Sequence, residues 1–414
     1  MATVSYNKTN HEKQATIMKT LIPWLILSAC CAQAADWPQW RGPNRDGIST
    51  ETDWTSQWGA DGPKQLFKLN VGIGCSAVAV SKGRLYTMGN ANNSDTVLCL
   101  DAATGKPIWK QSYACPLDPH MFEGGPGATP TVDGDRVYTL SRAGHLHCLD
   151  AASGKVVWMK HLVKDLGGKV PTWGYAGSPL VLEKRVIVDV GAQGAATVAL
   201  DKTSGEVVWK SGDEGAGYGA PLAFEQGGKR LLALFDGYGL VLREADSGKP
   251  LARQEWKTNY EINASTPIVS GDKIFVSSGY GKGAALFEFS GTELKYVWQT
   301  KKMRNHFNSC VLWKGFLYGF DESKLTCLDF ATGDVKWSQD DLGKGSLMIA
   351  DGKLIIQSET GDLVVADASP LAFKETARAK VLEKRCWVVP VLANGRIYCK
   401  NNIGDLVALA LTKP

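Results

Sequence analysis

One ten-residue phrase, written four times, constrains this chain more than any other feature. The template L-D-x-x-[ST]-G-x-x-x-W is matched without a gap by LDAATGKPIW (residues 100–109), LDAASGKVVW (149–158), LDKTSGEVVW (200–209) and LDFATGDVKW (328–337). Asp101, Asp150 and Asp201 are spaced 49 and 51 residues apart. That period belongs to propeller blades or similar arrays rather than to a two-layer domain. The phrase has a mechanical reading. Leu ends an inward-facing strand, and Asp accepts backbone N–H bonds across the turn. Gly takes a positive φ, and Trp closes the next strand with a large apolar face for a neighbour.

Degenerate copies fill the intervals. READSGKPLA (243–252) has Glu244 and Ala252 at the Asp and Trp positions, FEFSGTELKYVW reaches Trp298 late, and VVADASPLAF (364–373) has lost both Gly and Trp. Between them recur tight Gly-containing turns flanked by apolar runs, such as DGDRVYTL, SGDKIFVS and ANGRIYCK, a hairpin signature. Counting hairpins predicts eight blades, starting near Ser76, Ala128, Ser178, Ala220, Ser265, Ser309, Ser346 and Val388. The eighth has three strands before Pro414, and KQLFKLNVG (64–72) is the spare strand that completes it. The expected fold is therefore all-β, an eight-bladed β-propeller whose N-terminal strand closes the last blade and leaves no open edge.

Three segments follow from this count: an upstream extension and signal peptide (1–34), a Trp-rich arm (35–63), and the propeller (64–414). Within the first, MKTLIPWLILSACCAQA (18–34) has a basic start, an apolar core and a small-residue end, with Ala32-Gln33-Ala34 as the cleavage site. LSAC, ending at Cys30, also reads as a lipobox, so a lipid anchor at Cys30 is the alternative to simple cleavage. The expected location is periplasmic or secreted, with no transmembrane segment once the signal is removed. The chain carries a net +4, and residues 1–34 hold three lysines and one glutamate of that balance. About +2 remains, which gives no reason to expect nucleic acid as a partner.

Of ten cysteines, eight lie beyond the signal. Cys99, Cys148 and Cys327 share one motif position and read as small core residues. Cys75 and Cys386 both precede inner strands at the ring closure, where a disulfide across the seam is conceivable. His145 and His147 alternate on one strand, but two ligands without a third make no metal site. Gly191 and Gly194 lie in a hairpin, not in the strand–helix context of a phosphate loop.

In a propeller, the loops from each outer strand to the next inner strand gather at one mouth. Here they supply His120, Phe122 and Glu123; Trp173 and Tyr175; Tyr218; Tyr260 and Glu261; Asn305, His306 and Phe307; and Arg385 and Trp387. Flat apolar faces beside a few directed polar groups suit a small-molecule, sugar or peptide site; the same residues also suit a packed plug. Trp37, Trp40 and Arg41 are expected to staple the arm across the bottom or side of the ring, with Trp54 and Trp58 doing the same. A stacked cation–aromatic cluster is the alternative.

The four motifs, together with DWPQWRGPNRDG (36–47), resemble the PQQ-like β-propeller repeat proteins, in particular secreted bacterial members that open with W-P-Q-W-R-G-P. The resemblance spans the sequence from residue 35 onward. It implies eight blades, with each blade's Trp docking on the next. The same class includes quinoprotein dehydrogenases and BamB, the propeller subunit of the outer-membrane barrel-assembly machinery, and fold alone does not choose between them. The dehydrogenases are longer, hold PQQ in a funnel with calcium bound by Glu, Asn and Asp, and often carry a disulfide between adjacent cysteines. The only adjacent pair here, Cys30-Cys31, lies in the signal, and no acidic pair with an Asn can be placed at the funnel. No catalytic set is recognised and no cofactor is expected. The expected function is an exported, non-catalytic binding or scaffold propeller of the cell envelope, BamB-like in outer-membrane protein assembly, with envelope proteins or a small-molecule or sugar ligand as partners. The alternatives are a PQQ- and calcium-dependent oxidoreductase of alcohol or sugar dehydrogenase type, and a carbohydrate-binding propeller.

Overall fold

Strands in this chain come in sets of four because each hairpin pair is followed by a loop that returns to the axis. The computed structural model describes residues 1–5, 35–59, 61–119 and 122–411. Residues 1–33 form a separate unit, of which only 1–5 are described, without regular structure. The signal segment, the lipobox and Cys30 thus lie outside the described residues. The second unit holds eight sheets of four antiparallel strands, one of which gains a short parallel fifth, an eight-bladed propeller. The innermost strands begin at Ala79, Thr131, Leu180, Leu222, Ile268, Val311, Ser346 and Val391, within three residues of the expected starts. The one α-helix among the described residues is the short turn Leu162–Leu166.

Blade 1 shows the common pattern. Its inner strand Ala79–Ser81 lines the axis, and Arg84–Ala91 and Ser94–Asp101 form the buried middle. Pro107–Ala114 is the outer strand, half exposed in alternation. In blade 8 the outer place is taken by β2 (Gln65–Asn70), which pairs antiparallel with Asp405–Ala410, Leu69 opposite Leu406. The two ends of the ring are zipped together, as the spare strand requires.

The repeated phrase holds neighbouring blades together. Asp101 Oδ1 accepts the backbone N–H groups of Ala103 and Thr104, which closes the turn. Trp109 then donates its indole N–H to the Ala151 carbonyl of blade 2 at 3.0 Å, as Trp158 does to Lys202, Trp209 to Ala245, Trp298 to Phe330 and Trp337 to Ser369. Each indole lies on the motif glycine of the next blade where that glycine is kept. A Cβ on Gly154, at φ +73°, would sit 2.5 Å from the Trp109 ring. Burying one such indole removes roughly 150–250 Å² from water, on the order of 4 kcal/mol before entropy is counted.

Where the phrase decays, substitutes appear. At the seam between blades 4 and 5, Ala252 stands opposite Leu242 and the Gln226 amide takes the Phe289 carbonyl. In blade 7, Ala377 holds the Trp position. There Trp58 of the arm donates to Arg378 O, and Trp54 is buried in the core shared by blades 7, 8 and 1.

The arm departs from expectation. Residues 36–51 do not staple the outside of the ring but run through its centre, with polar bonds to every blade, whereas Trp58 lies against the outer strand of blade 7, as a staple on the side would. Asp36 accepts Lys82 N, and Trp37 pairs with Val80 on blade 1. Pro38 O accepts Val132 N on blade 2. Arg45 reaches the Pro179 and Pro221 carbonyls before blades 3 and 4. Trp40 donates to Thr266 Oγ1 by blade 5, and Arg41 to Cys310 O by blade 6. The strand β1 (Ile48–Ser49) runs parallel to Ile349 and Ala350 of blade 7, and Glu51 binds the Asn394 and Gly395 N–H groups of blade 8. Only a segment on the axis can touch all eight. Trp37, Arg41 and Arg45 of the arm are buried there.

Among the described cysteines all are free thiols, so the Cys75–Cys386 disulfide does not form. Cys99, Cys148 and Cys327 are buried opposite Trp109, Trp158 and Trp337.

Candidate functional site

Loops running from outer to inner strands meet at one end of the ring and enclose a cavity of about 220 Å³. Its floor is Trp40, carried up the axis by the arm; its walls include Phe122, Trp173, Tyr175, Tyr218, Tyr280, Phe307 and Trp387. The arm closes the opposite end, so the pocket is blind. Two aromatic groups face each other across it. On one side Trp387 packs against Phe307 (centroids 4.4 Å apart, planes 33° apart) and edge-on to Phe122 (4.9 Å). On the other, Trp173 meets Tyr218 at 6.2 Å and Tyr260 at 5.7 Å, both edge-on.

Three carboxylates at the mouth are each matched to a cation. Arg385 lies over the Trp387 ring at 4.6 Å and bonds Glu123 at 3.1 Å, while Asn402 holds the second Glu123 oxygen. Arg142 pairs with Asp118 at 2.8 Å. His306 packs edge-on to Tyr280 and faces Glu322 at 3.3 Å, with Lys344 within 3.4 Å of the same carboxylate. The bond to His306 pulls the Glu322 carboxyl down to about 2. Glu359 accepts the Trp387 indole N–H at 3.0 Å and Lys344 N at 3.0 Å. The Trp173 indole nitrogen is the exception: it is buried and has no hydrogen-bond partner.

Beneath and beside this pocket sit three buried cations whose hydrogen bonds go to neutral oxygens. Arg41 donates to the carbonyls of Arg45, Asp46 and Cys310, and Arg45 to those of Pro179 and Pro221 and to Gln39 Oε1. Lys400 Nζ bonds Gly74 O and Ser76 O, on either side of the pocket residue Cys75. Burial lowers Lys400 to about 8 and pushes the Cys75 thiol up to about 11.

Of the mouth residues expected from sequence, Glu123, Trp173, Tyr175, Tyr218, His306 and Trp387 line the cavity. Arg385 stands directly behind Trp387. Tyr260 reaches the site only through the Trp173 ring and is 68% exposed. Two others do not belong to the pocket. Asn305 is buried, its amide donating to Phe320 O and its oxygen accepting from the Cys310 thiol, so it braces the loop. Glu261 is exposed at the rim, at the end of a turn where Tyr260 and Glu261 both take positive φ. His120 lies outside the described residues. Trp40 was singled out from sequence for the arm and not for the mouth, and Arg142, Tyr280 and Lys344 were not singled out. The second-to-third strand turns that carry Arg142 and Tyr280 reach the mouth as the loops do, a signal available from the hairpin pattern.

His145 and His147 stack at 6.4 Å beside Tyr113 and do not line the cavity, and burial lowers His147 to about 4. Among the described residues no group of three or more His, Cys, Asp or Glu side chains is placed to hold a metal.

A quinone site with calcium needs six to eight oxygen ligands converging on one point. The mouth carboxylates Asp118, Glu123 and Glu322 are instead dispersed around the rim, each bound to its own cation. These residues do not fit the group.

A family model described as outer membrane protein assembly factor BamB matches residues 93–339. No curated protein matches. Among solved structures, BamB from Moraxella catarrhalis superposes with a TM-score of 0.62 at 16% identity, covering 84% of this chain and 97% of that one. The quinohemoprotein alcohol dehydrogenase from Comamonas testosteroni gives 0.68 at 14%, covering 92% and 81%. A europium-containing methanol dehydrogenase gives 0.66 at 12%, covering 91% and 89%. At these identities the likeness is one of fold alone.

Proposed function

The chain belongs to the family described as outer membrane protein assembly factor BamB, and from that premise we propose that it is a non-catalytic binding and scaffold propeller of the cell envelope, exported by the signal at residues 18–34. One observation carries the reading. The mouth is an aromatic-walled cavity whose carboxylates Asp118, Glu123 and Glu322 are each paired with a cation. Such a cavity holds a ring against flat faces, but it offers no base beside a nucleophile and no set of free carboxylates for a metal. Among the described residues no helix is long and apolar enough to cross a membrane. The partners that suit the family are envelope proteins on the way to the outer membrane.

The test is equilibrium binding of the purified chain to a urea-unfolded outer-membrane β-barrel protein, diluted into buffer and followed by fluorescence anisotropy. Saturable binding, competed by unlabelled barrel protein and not by a folded soluble protein, is the expected result. The overturning result is absence of such binding together with dye reduction that depends on added PQQ, calcium and an alcohol or sugar.

A further inference from the structure

We propose that His145 and His161 form an acid-sensitive latch, which holds the loop at residues 162–178 closed at neutral pH and releases it as pH falls. That loop carries Trp173 and Tyr175, one wall of the mouth pocket. The latch is a property of the loop and holds whatever the pocket binds. Its geometry starts at His161, the residue ahead of the helical turn Leu162–Leu166. His161 Nδ1 accepts the Val163 N–H at 3.3 Å, and Asp165 Oδ2 accepts the His161 backbone N–H at 2.7 Å. An imidazole nitrogen accepts only while it carries no proton. Protonation of His161 therefore sets one N–H against another, and the turn loses its cap. His145 stands directly opposite His161 in the strand pair, with ring centroids 4.6 Å apart. Two protonated rings at that distance repel.

The turn Ser141–His145 connects this pair to the pocket. His145 Nδ1 lies 3.0 Å from Ser141 Oγ, which also accepts the His145 backbone N–H. Arg142 in that turn lines the pocket, and its carbonyl accepts the Tyr175 N–H at 2.9 Å. Gly144 O accepts the Leu162 N–H at 2.8 Å. A Cβ on Gly144 would lie 3.1 Å from the Tyr175 ring and 3.3 Å from Leu162. The loop is thus pinned, near both its ends, to the turn that His145 closes.

The surroundings give a proton on either ring little support. Burial lowers His145 and His161 below the ordinary imidazole range. His161 and Lys164 add to this at His145, and Lys164 does at His161, where Asp165 alone acts the other way. Behind His145 lie Tyr113 at 5.2 Å and His147 at 6.4 Å; His147 Nδ1 is buried without a partner. On the outer strand, Lys160 faces Glu206 instead. Beyond Tyr113, on blade 1, burial pushes the Asp95 carboxyl and the Cys115 thiol up, so neither supplies a full negative charge. The closed loop therefore binds fewer protons than an open one whose histidines titrate near about 6.5. Closure is fully favoured above that pH and weakens as pH falls through it toward the lowered values. Asp95 acts with the opposite sign, and it lies outside the loop.

Hydrogen exchange read by mass spectrometry on the purified full chain tests the latch without any ligand, so its failure leaves the binding reading untouched. From about pH 7.5 to about pH 5, corrected for intrinsic exchange, protection of residues 162–178 is expected to fall at least about fivefold. The loop at 382–390, which carries Trp387 and no histidine, is expected to stay within about twofold. His161→Asn keeps a capping oxygen but takes no proton, and should hold the change in 162–178 below about twofold. Proton NMR of the imidazole C2–H signals should place His145 and His161 below about 6.5 in the unaltered chain. In His161→Asn the His145 signal should titrate at higher pH, because a like charge has gone. The latch is overturned if 162–178 keeps its protection at the lower pH, if 382–390 loses as much, or if His161→Asn leaves the change intact. It is equally overturned if either histidine of the unaltered chain titrates at or above about 6.5, a result that decides even where the variant does not fold.

Discussion

Replacing Gly154 by alanine tests whether the repeated phrase works as a blade-to-blade dock. Two costs are expected. The residue sits at φ +73°, where an L side chain costs roughly 1–2 kcal/mol. Its new Cβ would also meet the Trp109 ring at 2.5 Å, and overpacking of that kind costs about 1–3 kcal/mol. The sum is about 2–5 kcal/mol. Gly134 provides the control, since it has φ +61° and open space where the Cβ would go, so Gly134→Ala pays the first cost alone. Urea unfolding of both variants, followed by tryptophan fluorescence and far-UV circular dichroism, should place the Gly154→Ala midpoint clearly below that of Gly134→Ala. In a Trp109→Ala background the extra penalty should vanish, because the clash has lost its partner. Equal midpoints for the two alanines, or an unchanged penalty without Trp109, would refute the docking argument.

The axial arm, the buried acids and the thiols each give a further prediction. Arg45→Met leaves the Pro221 carbonyl and Gln39 Oε1 without their donor, and Pro179 O with Thr131 alone, costing about 1–3 kcal/mol, and should bring forward protease cleavage within residues 36–63; Arg45→Lys should not rescue it, lacking the guanidinium fork. Burial pushes the Asp236 carboxyl up to about 7 despite N–H bonds from Tyr238 and Gly239, and Asp189 well above the carboxylate range, where Asp236 adds to the burial. The folded chain thus holds protons that the unfolded chain has lost above about pH 4, so these groups contribute fully below that pH and their contribution falls as pH rises from about 4 to 7. Asp236→Asn should flatten that slope, by up to about 1.4 kcal/mol per pH unit, in chemical melts run across the range. Finally, unfolding residues 35–414 without reductant should expose eight titratable thiols, and a lower count would show a disulfide.

How much of this was legible in the residues follows from what each signal encodes. The phrase around Asp101, Asp150, Asp201 and Asp329 specifies a turn, a docking glycine and an indole at once, so blade number, order and closure could be counted. The mouth residues Glu123, Trp173, Tyr175, Tyr218, His306 and Trp387 were readable because strand-to-strand loops must gather at one end. Asn305 and Glu261 misled because a loop's composition does not say which side chains turn inward: Asn305 serves its own loop, and Glu261 points out at the rim. Arg142 and Tyr280 were missed because they sit in turns judged only as hairpin connections. The arm was misplaced for a deeper reason. Nothing periodic marks residues 36–51, and their partners lie on eight separate blades, the farthest 358 positions away, where Asn394 bonds Asp36. The Cys75–Cys386 pairing failed because shared proximity to a seam does not bring two Cβ atoms within bonding reach.

That arm carries a consequence for how the molecule is made. Its acceptors on blades 7 and 8 do not exist until the last hairpins have formed, so the part of the ring synthesised first is the part seated last. Trp37 can meet Val80 once blade 1 has formed, but the contacts of Ile48 to Glu51 wait for the last two blades. Contacts of such sequence separation make for slow folding, and they make seating of the arm a checkpoint: a ring short of one blade would lack the carbonyls or amides that hold it, and its centre would stay open to water.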